Sequence, residues 1–382
     1  MPEIDHASRP GLLTIAREWG RIGCVGFGGP PAHITLLRRL CVKDRAWLSA
    51  EEFEDGIAAT NLLPGPASTQ LAIFCAWRLH GPMGAIVGGL CFIVPGLLLI
   101  LVLAALFLSG DAPLWVRGAA AGAGSAVAAV AVHAAADLVP ASRRRARSRA
   151  RWYVYLLLGG VSTVLIGPYL VLVLLACGIV EMLVRRERAP KSRALPVLLA
   201  APAAAGGLGA LAWVAFKVGA LSYGGGFVII PLMQSEAVDH YHWMTSAEFT
   251  TAVALGQITP GPVVQTVAVV GYAAAGVSGG LLAAAFAFAP SFVFVLFGGP
   301  RFDRLRANTA VQAFLDGAGP AVIGAIGGSA LTLALVLDHL WQFGVLAAAA
   351  VWLVLLRRGV VGTLLGAGLL GVGASLLGLP VA

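Results

Sequence analysis

Charge is what this chain has least of. Only 12% of its 382 residues are Asp, Glu, Lys or Arg, about half the share of a soluble domain. That scarcity excludes a solvent-facing surface of ordinary composition over most of the chain. Cysteine is also sparse and unpatterned. Cys24, Cys41, Cys75, Cys91 and Cys177 form no CxxC pair and have no histidine in register, so neither a metal site nor a disulfide framework is expected. HExxH, a nucleophile elbow, a Walker loop and a carboxylate cluster with metal spacing are all missing, which leaves an enzyme or an ATP-driven pump without chemistry. No catalytic residue, metal or cofactor is therefore expected. The start, MPEIDHASRPG, lacks the basic and apolar regions of a cleaved signal peptide.

What is abundant is apolar length. Hydrophobic residues make up 59% of the chain, and runs such as 86–108 and 341–356 with its flanks reach membrane-spanning size. The chain reads as an all-α polytopic membrane protein. Its net charge of +8 comes from short loops between apolar runs. Those loops predict cytoplasmic anchors facing anionic lipid, with no role for nucleic acid.

Into this apolar background the sequence writes one helix breaker twice, as Leu63-Pro64-Gly65-Pro66 and Thr259-Pro260-Gly261-Pro262. Pro-Gly-Pro lacks two amide donors and cannot be helix interior. Paired broken helices in the two halves of a membrane protein point to the binding site of a secondary transporter. The halves are homologous: from Gly23 to Pro66, 13 of 44 positions are identical at a constant offset of 196. Residues 216–225 lie on Gly20 to Gly29 without a gap, Trp243 on Trp47 and Glu248-Phe249 on Glu52-Phe53. Ser49 with Glu52, and Thr245 with Glu248, predict capping boxes; Trp47 and Trp243 predict interfacial anchors.

Loop 38–45 carries four basic residues and one acid, whereas loop 234–241 carries two acids and no Lys or Arg. The positive-inside rule puts the first loop in the cytoplasm and the second outside, so the repeats are expected to be inverted. Each repeat would hold two broken or re-entrant helical hairpins and two full transmembrane helices. With a lead-in span at 195–215, basic loops 143–151, 185–193 and 301–306 fall inside with Arg357 and Arg358. Asp111, Asp239 and Asp338 then fall outside. The expected divisions are 11–138 (first repeat), 139–194 (basic loops and a helical pair broken at Gly167-Pro168), 195–336 (inverted second repeat with its lead-in helix) and 337–382 (C-terminal helices).

A helix restarting at membrane depth offers free N–H groups and its positive dipole end, which suits an anion. Arg21 and Lys217 occupy equivalent positions, each six residues before an aromatic-Gly-Gly. An unpaired cation at mid-membrane costs about 2.5–3.5 kcal/mol and needs a partner, which a dianionic substrate would supply. The candidate binding set is Arg21, Gly28, Gly29, His33, Asn61, Pro64, Gly65, Pro66 and Gln70 in the first repeat. In the second it is Lys217, Gly224, Gly225, Gln257, Thr259, Pro260, Gly261, Pro262 and Gln265. Glu18, Asp137, Glu181 and Glu236 stand in or beside apolar segments as alternatives for proton relay or cation pairing, and the sequence does not choose among them.

At these same residues the chain resembles the chromate ion transporter family, in its long form of two fused halves. The resemblance rests on Phe27-Gly28-Gly29-Pro30-Pro31-Ala32-His33-Ile34, Trp47-Leu48-Ser49 with Phe53, and Leu62-Leu63-Pro64-Gly65-Pro66. It continues through Tyr223-Gly224-Gly225-Gly226, Trp243-Met244-Thr245 and Gly256-Gln257-Ile258-Thr259-Pro260-Gly261-Pro262. It implies an inner-membrane carrier that exports chromate, driven by the membrane's electrochemical gradient, and confers chromate resistance, with sulfate and other oxyanion carriers among its relatives. Asn61 and Cys75 depart from the family's usual Gln and Gly. The partners implied are a chromate- or sulfate-like oxyanion and membrane lipid, in a monomer or homodimer. An anion channel is the alternative class.

Overall fold

The computed structural model describes residues 10–60, 63, 65–108, 112–165, 170–186, 207–222, 229–298 and 308–381. Every regular element among them is a helix. The first repeat contains α1 (Leu12–Val25), α2 (Pro30–Arg38) with a π-helical turn Arg39–Asp44, α3 (Ala50–Thr60), α4 (Ala67–Phe107) and α5 (Leu114–Arg145). Next come α6 (Arg149–Leu165) and α7 (Leu170–Arg186). The second repeat contains α8 (Leu208–Leu221), α9 (Ile229–Gln234) with a π turn Ser235–His240, α10 (Ser246–Ile258), a 3-10 turn Val263–Gln265, α11 (Thr266–Gly298) and α12 (Thr309–Ala334). A final pair closes the chain: α13 (Leu340–Ala350), continued by the π turn Val351–Leu355, and α14 (Val360–Leu376).

The repeat seen in the letters is a repeat of shape. α8 and the second π turn fall on α1 and the first π turn at an offset of 196. Residues 208–215, expected at the end of a lead-in span, are therefore the opening turns of α8. Residues 195–206, with Gly167-Pro168 and loop 301–306, lie outside the described residues. After Pro-Gly-Pro the offset becomes 195. The first copy runs Pro66-Ala67-Ser68-Thr69-Gln70 and the second Pro262-Val263-Val264-Gln265, and the tighter 3-10 turn absorbs the missing residue.

Two apparently long helices are folded back on themselves. In α4 the backbone reverses at His80 and Gly81 (φ 59°, ψ −152°), and in α11 at Ala275 and Gly276 (φ 63°, ψ −154°). Only glycine holds those angles without strain. The arms then pack side by side: Gly84 abuts the Ala76 carbonyl, and Gly271 and Gly279 abut each other's carbonyls. Before the reversal, α3 lies antiparallel to the first arm of α4, with Gly56 against Phe74 and Leu71. In the same way Gly256 meets Thr266, so each Pro-Gly-Pro sits at the tip of a helical hairpin.

The second arms, residues 82–107 and 277–298, run antiparallel to each other. Gly89 lies against Phe292, and Leu101 lies against Gly280. At 1.5 Å per residue the first of these arms is about 38 Å long, enough for a bilayer core of about 30 Å. Leu90, Val94, Leu98, Val102 and Leu106 make an exposed stripe at i, i+4 spacing along it. An outward apolar stripe is what lipid solvates and water does not. Elsewhere small residues bring backbones into contact, as at Gly219 on Ala287, Gly159 on Ala321 and Gly122 on Ala367, the packing mode of helices in lipid. With four helices among the described residues long and apolar enough to cross a membrane, the molecule is a multi-pass membrane protein.

Candidate functional site

The two Pro-Gly-Pro tips meet the opposite repeat. The amide of Gly65 donates to the carbonyl oxygen of Ser222 at 2.6 Å, and the amide of Gly261 donates to that of Gly26 at 3.0 Å. Gly26 and Ser222 are themselves equivalent, each closing the first helix of its repeat. One hydrogen bond is thus made twice, in opposite senses. Gly65 (φ 124°) and Gly261 (φ 104°) reach these acceptors through backbone angles that side chains oppose. The helices then restart, with the amides of Thr69 and Gln70 returning to the Pro66 carbonyl.

His33, fully buried, ties the crossing together. Its Nε2 lies 2.8 Å from the Gly26 carbonyl and its Nδ1 3.2 Å from Ser68 Oγ. A carbonyl only accepts, so Nε2 carries the proton and, in a neutral ring, Ser68 donates to Nδ1. The Phe92 ring lies edge-on at 5.0 Å and holds the imidazole in place. The second repeat has Ile229 at this position.

Gln265 donates from Nε2 to the Ile93 carbonyl at 2.8 Å, beside Gly96, where a side chain would run into the Pro260 carbonyl and the Gln265 amide. Around both tips, buried polar atoms stand without a protein partner among the described residues. They are Thr69 Oγ1, Ser222 Oγ, Gln257 Nε2, Gln265 Oε1 and Ser291 Oγ. Leaving such a group unpaired costs about 1–3 kcal/mol. Four of the five can donate, and together they make a donor-rich, low-dielectric crossing that an acceptor-only guest would satisfy.

Of the expected binding set, the structure gathers His33, Gly65, Pro66, Gln70, Gln257, Thr259, Pro260, Gly261, Pro262 and Gln265 at or beside this crossing. Thr259 Oγ1 donates to Leu255 O at 2.9 Å and finishes α10. Gly28 is exposed and Gly29 half-buried, their role being the turn that carries the chain from Gly26 into α2. Asn61, Pro64, Gly224 and Gly225 lie outside the described residues.

The cations have partners of their own. Arg21, with its side chain 63% exposed, pairs with Glu18 at 3.0 Å, and Glu18 also holds Arg45 at 3.1 Å. Lys217, 20% exposed, pairs with the buried Glu236 and lies over the Trp213 ring at 6.0 Å. Glu181 is held by Arg151 and Arg185 at 2.8 and 2.9 Å, and Asp137 lies 3.4 Å from His133. All four acids singled out in the sequence are thus paired. The residues that sequence reasoning missed are Gly26, Ser222, Gly96 and Ser291. Their signal was positional: each pair is equivalent between the repeats, and Gly96 and Ser291 directly follow Pro95 and Pro290.

A family of this description exists. The family model for chromate transporters matches residues 13–182 and 209–372. The chain belongs to the chromate transporter family. It is 32% identical over 338 residues to a chromate transport protein of Cupriavidus metallidurans, covering 85% of this chain and 82% of the relative. It is 28% identical to a probable chromate transport protein of Synechococcus elongatus, covering 84% of each. A chromate transport protein of Pseudomonas aeruginosa is 29% identical over 82% of this chain and 79% of its own length. No solved structure matches the chain. The two matched regions of the chromate transporter model bracket the two repeats, so the crossed hydrogen bonds join one matched region to the other.

Proposed function

We propose that this protein is a secondary active transporter that exports chromate, a divalent oxyanion, across the inner membrane and thereby confers chromate resistance. The substrate comes from the relatives' names; the physical reading supplies the sign and the place. The observation that carries it is the pair of crossed hydrogen bonds, Gly65 to Ser222 and Gly261 to Gly26, with buried donors nearby that have no partner among the described residues. A tetrahedral dianion accepts hydrogen bonds from all sides and would satisfy Thr69, Ser222, Ser291 and Gln257 together. Arg21 and Lys217 stand five residues before Gly26 and Ser222 in sequence, and a substrate drawing on them would compete with Glu18 and Glu236.

Inversion of the repeats is supported by the antiparallel run of residues 82–107 against 277–298 and by the opposite charge of loops 38–45 and 234–241. Basic loops 38–45, 143–151, 185–193 and 301–306 then face the cytoplasm. Alternating access follows as one repeat rocks against the other around the fixed crossing, driven by the electrochemical gradient. One chain completes the crossing, so a monomer suffices. Uptake of chromate into inside-out vesicles, with sulfate as competitor and the proton gradient collapsed in parallel, tests the reading. Saturable uptake that falls with the gradient supports a carrier. Flux that neither saturates nor couples to an ion makes the protein an anion channel, and stronger sulfate uptake reassigns the substrate.

A further inference from the structure

A cavity of about 180 Å³ opens beside Gly65, between the end of α3 and helices α5 and α12. Thr60, Gly65, Ser142 and Gly319 contribute to its wall, and Arg145 is the one charged residue lining it among the described residues. Arg145 is the last residue of α5, half-exposed, at the end of the Arg143-Arg144-Arg145 run. Its only described ion pair is at the limit of contact, Nε to Asp316 Oδ1 at 3.9 Å. Asp316 is engaged elsewhere, since Arg185 Nη1 donates to its other oxygen at 2.9 Å. Arg185 and Arg151 also saturate Glu181, to which Tyr155 Oη donates at 3.2 Å. Three guanidinium groups thus share two carboxylates, and the surplus positive charge falls on the residue at the cavity. Ser142 Oγ accepts from Trp152 Nε1 at 3.0 Å, which fixes this wall.

Resting on the transport reading above, we propose that this cavity is a loading site for the oxyanion. A tetrahedral dianion arriving from the basic face is held by Arg145 and then passed to the donors around Gly65. A guanidinium offers a planar pair of N–H donors that matches an oxyanion edge. Competition from Asp316 keeps the hold weak enough for release, as conduction through successive sites requires. The site is one-sided: counting on at 195 from Arg145 passes the end of α12 and reaches Leu340, the first residue of α13 and 90% exposed.

Two readouts test it. In vesicles with chromate supplied on the Arg145 face, Arg145→Gln is expected to raise KM at least fivefold with kcat within twofold. Arg145→Lys should fall between, and Asp316→Asn should lower KM. The second readout needs no transport. With Ala141→Cys in the cavity wall, and the unsubstituted chain as background, an anionic thiol reagent should react faster than a cationic one. Sulfate should protect the thiol, and Arg145→Gln should abolish the preference. An unprotected thiol without charge preference overturns the loading site whether or not the protein carries chromate. An unchanged KM in both Arg145 variants overturns it even with protection observed. Wild-type protein that protects the thiol with sulfate but moves no oxyanion refutes the transport reading and leaves the cavity site standing.

Discussion

Ser291 stands in the second repeat where Gly96 stands in the first, and each faces the other repeat's Pro-Gly-Pro. Gly96 abuts the Pro260 carbonyl and the Gln265 amide, while Ser291 Oγ lies 3.5 Å from the place a Gly65 side chain would occupy. The crossing is symmetric in backbone and asymmetric in side chains. Gly96→Ala drives a methyl group into a backbone carbonyl that cannot give way. It should abolish chromate uptake and lower the detergent melting temperature, because overpacking costs about 1–3 kcal/mol. Ser291→Gly should fold normally.

Ser291→Ala and Thr69→Ala separate a binding role from a structural one. Each removes a buried hydroxyl that has no partner among the described residues, so stability should hold or rise slightly, since no described bond is lost. If the hydroxyls serve the oxyanion, KM for chromate should rise several-fold in both variants. Unchanged KM in both removes them from the site.

Arg21→Gln and Lys217→Gln should differ in stability despite their equivalence in sequence. Arg21 is exposed, and its buried partner Glu18 keeps Arg45 at 3.1 Å, so the loss costs at most about 1 kcal/mol. Lys217 neutralises Glu236, which is 5% exposed, and stripping a buried carboxylate of its partner costs about 3–5 kcal/mol. Thermal unfolding in detergent reads the difference. The double variant Lys217→Gln with Glu236→Gln should recover most of the loss, and its chromate uptake then reports on Lys217 as a binding group alone.

Glu52 gives the fold an acid-sensitive contact outside the spans. Burial pushes its carboxyl up, but the Ser49 amide and Arg78 outweigh that and hold it below the ordinary value. A carboxylate with a lowered folded pKa adds stability above its unfolded value of about 4.3, and this is lost as pH falls through the folded value. Glu52→Gln should lower the melting temperature modestly at pH 7 and by progressively less as the pH falls below the unfolded value, as unfolding followed across that range would show.

Much of this was legible in the letters. The capping boxes formed as expected, with Ser49 and Glu52 exchanging bonds of 3.0 and 3.1 Å and Thr245 and Glu248 bonds of 2.7 and 3.2 Å. A cap is written within four residues, and sequence holds it whole. The break at Gly81 is legible, since a helix after Pro66 reads to Arg78 and the next span begins at about 83; the reversal at Gly276 is not, because residues 266–298 are apolar on both sides of the turn. Hydrophobic runs carry no sign of direction. The partners of Arg21 and Lys217 were also hidden. Glu18 lies only three residues from Arg21 but on a face that periodicity marks as core, and Glu236 stands nineteen residues from Lys217, beyond a stretch outside the described residues. The contact of Gly26 with Gly261 joins positions more than half the chain apart, and only the repeat hinted at it.

That contact also sets an order of events during synthesis. The Gly26 carbonyl leaves the ribosome long before the Gly261 amide that will engage it. Until then the Gly26 carbonyl has only His33 as donor among the described residues, and the Gly65 amide lacks its Ser222 acceptor, in a membrane where water cannot stand in. The first repeat must therefore wait, shielded by other chain or by the insertion machinery, and the second repeat closes it on arrival. Residues 10–165 and 207–381 expressed as separate chains should each be degraded alone and should survive together.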